Sequence, residues 1–366
     1  MKGIMEGESP ITSNNAETHQ PPVKKRRGLA FWVATILACF FFVCTVVLLF
    51  SVTALLTFSR AFSPAEVGKE KKFIETVIEG VGEKKILIIP IAGIISNGDD
   101  DGLFYGTHDI VETVKRELEQ AGKDDKLVAV ILEIDSPGGG ITASDMVYNY
   151  ILKFKEKTKK KVVVYMKDVA ASGAYYISMA ADRIVAHQTT ITGSIGVIMP
   201  LINIADLIEK YGVKDKSITS GSMKDIGSPT RPMSQEEEVV LKTIIDEMYM
   251  RFVTIISENR GMPVEEIKKL ADGRVYTGKQ ALDNGLVDQL GYMDDAVSLT
   301  KELAGITEAQ IIKYQRPWRL SDLLRAAASS ALYTRRIEIN VPYGPSKDFP
   351  KLMYLWTGYE YLLEKR

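Results

Sequence analysis

Polar and apolar positions divide the chain into three regimes. From Gly28 to Ser59 a run of aliphatic and aromatic side chains contains no charged residue. At about 1.5 Å of rise per residue, a helix of that length exceeds a hydrocarbon core of roughly 30 Å, so the pattern predicts a transmembrane anchor over 28–59. Residues 1–27 are polar and end on Lys24-Lys25-Arg26-Arg27, the composition of a disordered tail. Residues 60–84 mix charges of both signs and read as a linker. From 85 onward, short apolar runs alternate with amphipathic stretches, the signature of α/β layers.

Within that last regime KILIIPIAGII (85–95) reads as a strand and THDIVETVKRELEQAG (107–122) as a helix with a Thr cap and a Gly stop. LVAVILEID (127–135) is a buried strand, ITASDMVYNYILKFKEK (141–157) a helix and KVVVYM (161–166) another strand. A short helix, the strand DRIVAH (182–187), a turn and strand at TGSIGVIM and the helix INIADLIEKYG (202–212) continue the alternation. A loop over roughly 220–233 leads to helical stretches at 234–260 and 263–271. The domain limits that follow are 85–313 for the α/β core and 314–366 for a C-terminal extension.

Charge orients the membrane segment. The four basic residues precede the apolar run, whereas Arg60 and the residues after it mix signs, so the positive-inside rule puts the N-terminus in the cytoplasm and the rest across the membrane. A cleavable signal peptide has an apolar region of about 7 to 15 residues, and this run is about twice as long. ILAC (36–39) faintly resembles a lipoprotein processing site, but twenty further apolar residues follow where a polar linker would be needed.

Composition narrows the function classes. The 366 residues carry 46 Lys+Arg against 47 Asp+Glu, a formal charge of −1, which leaves no general basic field for a nucleic-acid backbone. Cys39 and Cys44 both sit in the apolar run, so the remainder has no disulfide framework and no thiolate zinc site. His19, His108 and His187 are too scattered to suggest a metal cluster. No nucleotide, metal or other cofactor motif is present.

Two segments carry candidate chemistry. In DSPGGG (135–140), three glycines follow a buried strand and precede a helix, which lets backbone approach a ligand and present N–H groups; a plain tight turn is the alternative. It is neither a dinucleotide fingerprint nor a phosphate loop. In DVAASGAYYIS (168–178), Ser172 lies among small residues where a strand meets a helix. There its hydroxyl would be open and nearby N–H groups would stabilise an oxyanion; a helix-capping serine is the alternative. The surroundings are not the G-x-S-x-G of an α/β-hydrolase. A serine nucleophile needs a base. His187 ends an apolar strand with no orienting acid, and Lys224 lies in a loop dense in Ser, Gly and Pro, where it would serve only if burial lowered its pKa from about 10.4.

The four segments DSPGGG, DVAASGAYYIS, TITGSIGVIM (190–199) and SGSMKDIGSPTRPMS (220–234), in this order, resemble the signal peptide peptidase A (protease IV) family of serine peptidases in its short, single-span bacterial form. The resemblance covers roughly 85–305. It implies a Clp-protease or crotonase-like fold of stacked ββα units, a Ser–Lys dyad and a membrane-anchored ring, usually of eight subunits. By the motif match, the dyad falls on Ser172 and Lys224, the oxyanion donors on the Gly139 and Gly173 N–H groups, and the lysine-orienting hydroxyl on Ser194. The family commonly has SGGYY after the nucleophile, where this chain has Ala174; the methyl would strain a positive-φ turn but suits a helix start.

The implied activity is endopeptidase cleavage of spent signal peptides and other apolar, unfolded peptides at the outer face of the cytoplasmic membrane. The rivals are a non-catalytic peptide-binding scaffold on the same fold, a crotonase-like acyl-CoA enzyme and a related membrane serine peptidase acting on membrane proteins. A Ser–Lys pair speaks against the first two. The tail FPKLMYLWTGYEYLL (349–363) is expected either to cover the core or a subunit seam, or to enter a peptide groove as a substrate mimic.

Overall fold

The computed structural model describes residues 28–61, 72–98, 109–317 and 353–355. The tail 1–27, His19, His108, Thr107 and most of the C-terminal extension lie outside them. The chain forms two compact units, Met1–Glu70 and Lys71–Arg366.

The described part of the first unit is helix α1, Leu29–Ala61. Phe31–Thr53 has a mean hydropathy of 2.8 and no burial against protein, so α1 is long and apolar enough to cross a membrane. Four of its hydroxyls are satisfied within the helix: Thr35, Thr45, Ser51 and Thr53 donate to carbonyls four residues back at 2.7–2.8 Å. Cys39 and Cys44 are free and exposed on its surface.

The second unit is a mixed, mainly parallel sheet with helices on both faces. Strands β1 (Ile74–Glu79), β2 (Lys85–Ala92), β3 (Leu127–Ser136), β5 (Lys161–Ala171), β6 (Arg183–Ala186), β9 (Gln289–Leu290) and β10 (Gln310–Gln315) run in the order β1-β10-β2-β3-β5-β6-β9. Only the β1/β10 pair on this path is antiparallel. A short β4 (Gly138–Gly140) follows β3. β7 (Ile191–Gly193) pairs with the end of β5, and β8 (Val275–Thr277) pairs with β7.

Parallel strands buried on both faces are apolar at nearly every position. Leu87, Ile89, Val130 and Leu132 join one core under α2 (Ile110–Gly122) and α3 (Ile141–Thr158), whereas Ile86, Ile88, Ile131 and Val163 join a second under α9 (Met293–Ala304). Each such side chain contributes about 2 kcal/mol by leaving water. The remaining helices are α4 (Gly173–Ser178), α5 (Ala205–Lys210), α6 (Gln235–Arg260), α7 (Val264–Leu270) and α8 (Gly278–Asp283).

Several elements differ from the pattern-based expectation. β1 lies inside the stretch read as a linker; its residues are almost all exposed, so no alternating burial marked it. α2 is capped by Asp109, whose carboxylate accepts from Glu112 N–H at 2.9 Å. Gly122 is the last helical residue and not a left-handed stop. β5 runs five residues past the apolar run, to Ala171, after a register irregularity against β3. α5 has no buried residue and is shorter than its pattern.

Candidate active site

Ser172 stands where β5 passes into α4. Its backbone has φ 56° and ψ −116°, a left-handed region that costs an L-residue of order 1–3 kcal/mol and persists only when surrounding structure enforces it. The enforcement is visible. Ser172 N–H donates to the Gly193 carbonyl of β7 at 2.7 Å, and its own carbonyl accepts from Tyr176 N–H at 2.9 Å. Ser172 occupies the cap position of α4 but its side chain makes no capping hydrogen bond, so the capping alternative does not explain it. Ala174 sits within the helix start, outside the positive-φ set, where its methyl is unstrained.

The short helix behind the serine is held by two tyrosines. Tyr175 is fully buried and donates to the Leu286 carbonyl at 2.8 Å; burial pushes its phenol pKa up. Tyr176 donates to Asp145 at 2.6 Å, receives Arg251 Nε–H at 3.1 Å, and packs edge-on against Tyr148 and Phe252. Arg251 also pairs with Asp145, so α3, α4 and α6 meet at one polar knot.

Ser194 follows β7 at φ 48°, almost buried, with its N–H on the Arg274 carbonyl at 2.8 Å. Gly193 before it has φ 81°, and a side chain there would start 2.6 Å from the Tyr276 ring. Ser172 and Ser194 line a common cavity of about 440 Å³ whose other walls include Lys242, Asp246 and Tyr249 from α6 and Asp272. Asp246 is ion-paired with Lys242, and Asp272 with Arg274, which holds the Asp272 carboxyl down to about 2.

A groove runs past this cavity. Ile95 bridges Gly139 in parallel: Ile95 N–H donates to Gly138 and Gly140 N–H to Ile95, both at 2.8 Å. Peptide groups alternate in direction along a strand, so the N–H and C=O of Gly139 face the opposite side. There β11 (Met353–Leu355) lies antiparallel, with Tyr354 opposite Gly139. The far edge of β11 is bonded to Ile198 through Met353. A Cβ on Gly139 would sit 2.1 Å from the Ile95 carbonyl oxygen, so only glycine fits. Gly173 is buried at the first position of α4.

The two base candidates lie elsewhere. Lys224 is exposed in a turn closed by its N–H on the Gly221 carbonyl at 3.1 Å, and it is not among the residues lining the Ser172 cavity. His187 is half-buried beyond β6, with Nδ1 2.8 Å from the Thr189 hydroxyl and its ring against Tyr292, also outside that cavity. The lysine that does line the cavity, Lys242, escaped the sequence reading because it sits on one face of a long amphipathic helix without a motif around it. Tyr249, two turns further along the same helix, was missed for the same reason.

Residues 154–307 match the model of peptidase family S49. A protein of Enterococcus faecium provisionally named signal peptide peptidase SppA is 35% identical over 291 residues, which cover 78% of this chain and 84% of that protein. A provisionally named protease of Methanocaldococcus jannaschii is 42% identical over 54% of this chain and 63% of its own length. Protease 4 of Salmonella typhi is 36% identical over 63% of this chain, matched along only 36% of its own length. A serine on a strained corner whose side chain caps no helix, a cavity at its side and a groove that holds extended chain thus belong to a serine-type peptidase. The chain is a member of peptidase family S49, among the SppA and protease 4 proteins.

Proposed function

We propose that this protein is a membrane-anchored endopeptidase that cleaves extended, apolar peptides, spent signal peptides among them, with Ser172 as nucleophile and Lys224 as general base. α1 is the anchor, with the N-terminus cytoplasmic and the peptidase unit on the outer side. The sheet and its helices are the stacked ββα framework of Clp-protease-like folds. Neutral Lys224 takes the Ser172 proton, Oγ attacks the carbonyl, and Gly139 and Gly173 N–H groups hold the oxyanion. Lys224 then protonates the leaving amine, and water releases the acyl group. Ser194 orients the amine.

The observation that carries this reading is the strained Ser172 beside a groove already occupied by an extended segment, β11, between Gly139 and Ile198. Main-chain bonds on both edges would grip a substrate strand independently of sequence, leaving selectivity to pockets such as the cavity floored by Tyr249. The same observation favours the reading of the C-terminal tail as an intramolecular substrate mimic over a tail that covers the core.

In one chain Lys224 is exposed and does not line the cavity beside Ser172, so in this reading the dyad is completed between copies. Support comes from the chain on either side of the Lys224 turn, residues 202–218 and the start of α6, where Ile202, Leu207, Tyr211, Ile218 and Val239 are all exposed. A patch of that kind marks an interaction surface. A homo-oligomeric ring would cover it and bring one copy's Lys224 to the next copy's serine.

The test is hydrolysis of a synthetic signal peptide by the detergent-solubilised full chain. Ser172→Ala and Lys224→Ala each abolish cleavage, whereas His187→Ala retains it. Cleavage restored by mixing the two inactive variants supports a dyad shared between copies. Survival in Lys224→Ala with loss in Lys242→Ala would move the base to the lysine already in the cavity, and an inactive, correctly assembled wild type would favour the scaffold reading.

A further inference from the structure

The turn that carries Lys224 is linked to the start of α6 through the side chain of Arg231. Arg231 donates from Nε and Nη2 to the two Asp225 carboxylate oxygens, both at 2.9 Å, and from Nη2 to the Asp225 carbonyl at 3.3 Å. Its other edge reaches Glu237, with Nη1 at 2.9 Å from one oxygen and Nη2 at 2.5 Å from the other. Glu237 is 2% exposed and also accepts from Ser234 N–H at 2.8 Å, while Ser234 caps α6 in return. One guanidinium therefore bridges a buried carboxylate at the root of α6 and the residue next to Lys224.

We propose that Arg231 is a positioning residue for the reaction: it clamps the Asp225 carboxylate to the start of α6 and so fixes the turn from which Lys224 is presented. The inference rests on the reading of Lys224 as the base. Arg231 is suited to the task because its planar fork can bind two carboxylates bidentately at once, which a lysine cannot. Both carboxylates are held in the ionised form by it: hydrogen bonding from Arg231 lowers Asp225 below its usual range and, with Ser234, brings Glu237 down to about 2. The segment after the turn is also held, by Ile204 N–H on the Pro229 carbonyl at 2.7 Å, Asn203 on the Arg231 carbonyl at 3.1 Å and the Thr230 hydroxyl on Asp215, so the fork of Arg231 is what carries that anchorage back to residue 225. Met223, Ile226 and Gly227 are only half-buried, and residues 214–222 are exposed. A base on an unanchored turn samples many placements, and a misplacement of about 1 Å can cost roughly 10²-fold in rate.

The test uses the full chain in detergent, a synthetic signal peptide as substrate and a serine-reactive phosphonate to count competent Ser172 sites. Asp225→Asn weakens the grip on the turn while leaving the Arg231–Glu237 pair and the α6 cap in place. It should lower kcat per titrated site about 10- to 100-fold with KM within about twofold, because the groove and cavity are untouched. Arg231→Ala should do the same or worse, and Arg231→Lys should recover only part of the loss. Wild-type kcat in Asp225→Asn, with Lys224→Ala inactive, overturns the positioning role and leaves Arg231 as a helix-capping ion pair. Loss of titratable sites in Arg231→Ala, with kcat per site unchanged, overturns it equally. Full activity of Lys224→Ala overturns the base assignment itself, an outcome read from a separate variant.

Discussion

The main chains of Met353 and Ile198 are hydrogen-bonded in both directions, Ile198 N–H to Met353 at 3.1 Å and Met353 N–H to Ile198 at 3.0 Å. The next residue, Tyr354, pairs with Gly139 on the other side, so a piece of the C-terminal tail is the middle strand of a three-stranded arrangement beside Ser172. A substrate entering in the same register would run antiparallel to β4, and the tail has to leave before it can.

Deleting residues 349–366 should therefore increase activity on short peptides. A tethered segment competes at an effective concentration up to the millimolar range, so the apparent KM should fall several-fold, to about tenfold, with kcat little changed. A peptide of sequence 349–363 should inhibit the truncated enzyme competitively. Unchanged kinetics on truncation would exclude the tail as a competitor.

The strain at Ser172 should be measurable without activity. Ser172→Gly and Ser172→Ala both remove the hydroxyl, but only glycine is at ease at φ 56°. Ser172→Gly should be the more stable of the two by roughly 1 kcal/mol, a shift of about 2–4 °C in Tm for a unit of this size. Equal melting temperatures would mean that the corner is relaxed in solution.

Gly139 and Gly140 make a matched pair. Gly139→Ala places a methyl 2.1 Å from the Ile95 oxygen, whereas the nearest atom to a Gly140 Cβ is 3.6 Å away. Overpacking at Gly139 should cost about 1–3 kcal/mol, and displacement of its N–H about 10²-fold or more in kcat. Gly140→Ala should cost less than about 1 kcal/mol, as at other helix caps, and keep most of the rate. Melting curves and active-site-titrated rates on both variants decide.

Glu117 gives the fold a pH signature. It is 4% exposed on α2, its Oε2 has no partner among the described residues, and burial, partly opposed by Arg316, pushes its pKa up to about 7. A folded-state pKa above the unfolded value favours the folded state fully below about pH 4.5, and that advantage is lost as pH rises through about 7. Relative to Glu117→Gln, the wild type should lose roughly 3 kcal/mol between those values and nothing further above them. Denaturant unfolding at pH 5, 6, 7 and 8 measures the difference; parallel curves would mean the carboxylate is solvated.

How much could be read in advance depended on the range of each interaction. The cores of β2, β3 and β5 and the length of α3 were legible because burial on both faces or one face leaves a local apolar pattern. β1 was not, because Ile74 opposite Gln315 is a pairing across nearly the whole unit, and an exposed edge strand leaves no pattern. Ser172 and Gly139 were legible as motif positions, but the positive φ of Ser172 was not, since it depends on its hydrogen bond to β7 and on the buried tyrosines of α4. Lys242 carried no local mark of its place in the cavity.

By itself, then, the sequence determined what a single window of chain can encode: the apolar helix, the buried strands β2, β3 and β5, the long amphipathic helices and the kinship of four motifs. The tertiary structure decided which of those groups meet. Sheet order brings residues 139, 172, 194, 198 and 353 to one groove and leaves Lys224 exposed on a clamped turn. The reason is that hydrogen-bonded strand order and side-chain packing are properties of the closed chain, set by contacts between residues too far apart for any local pattern to record.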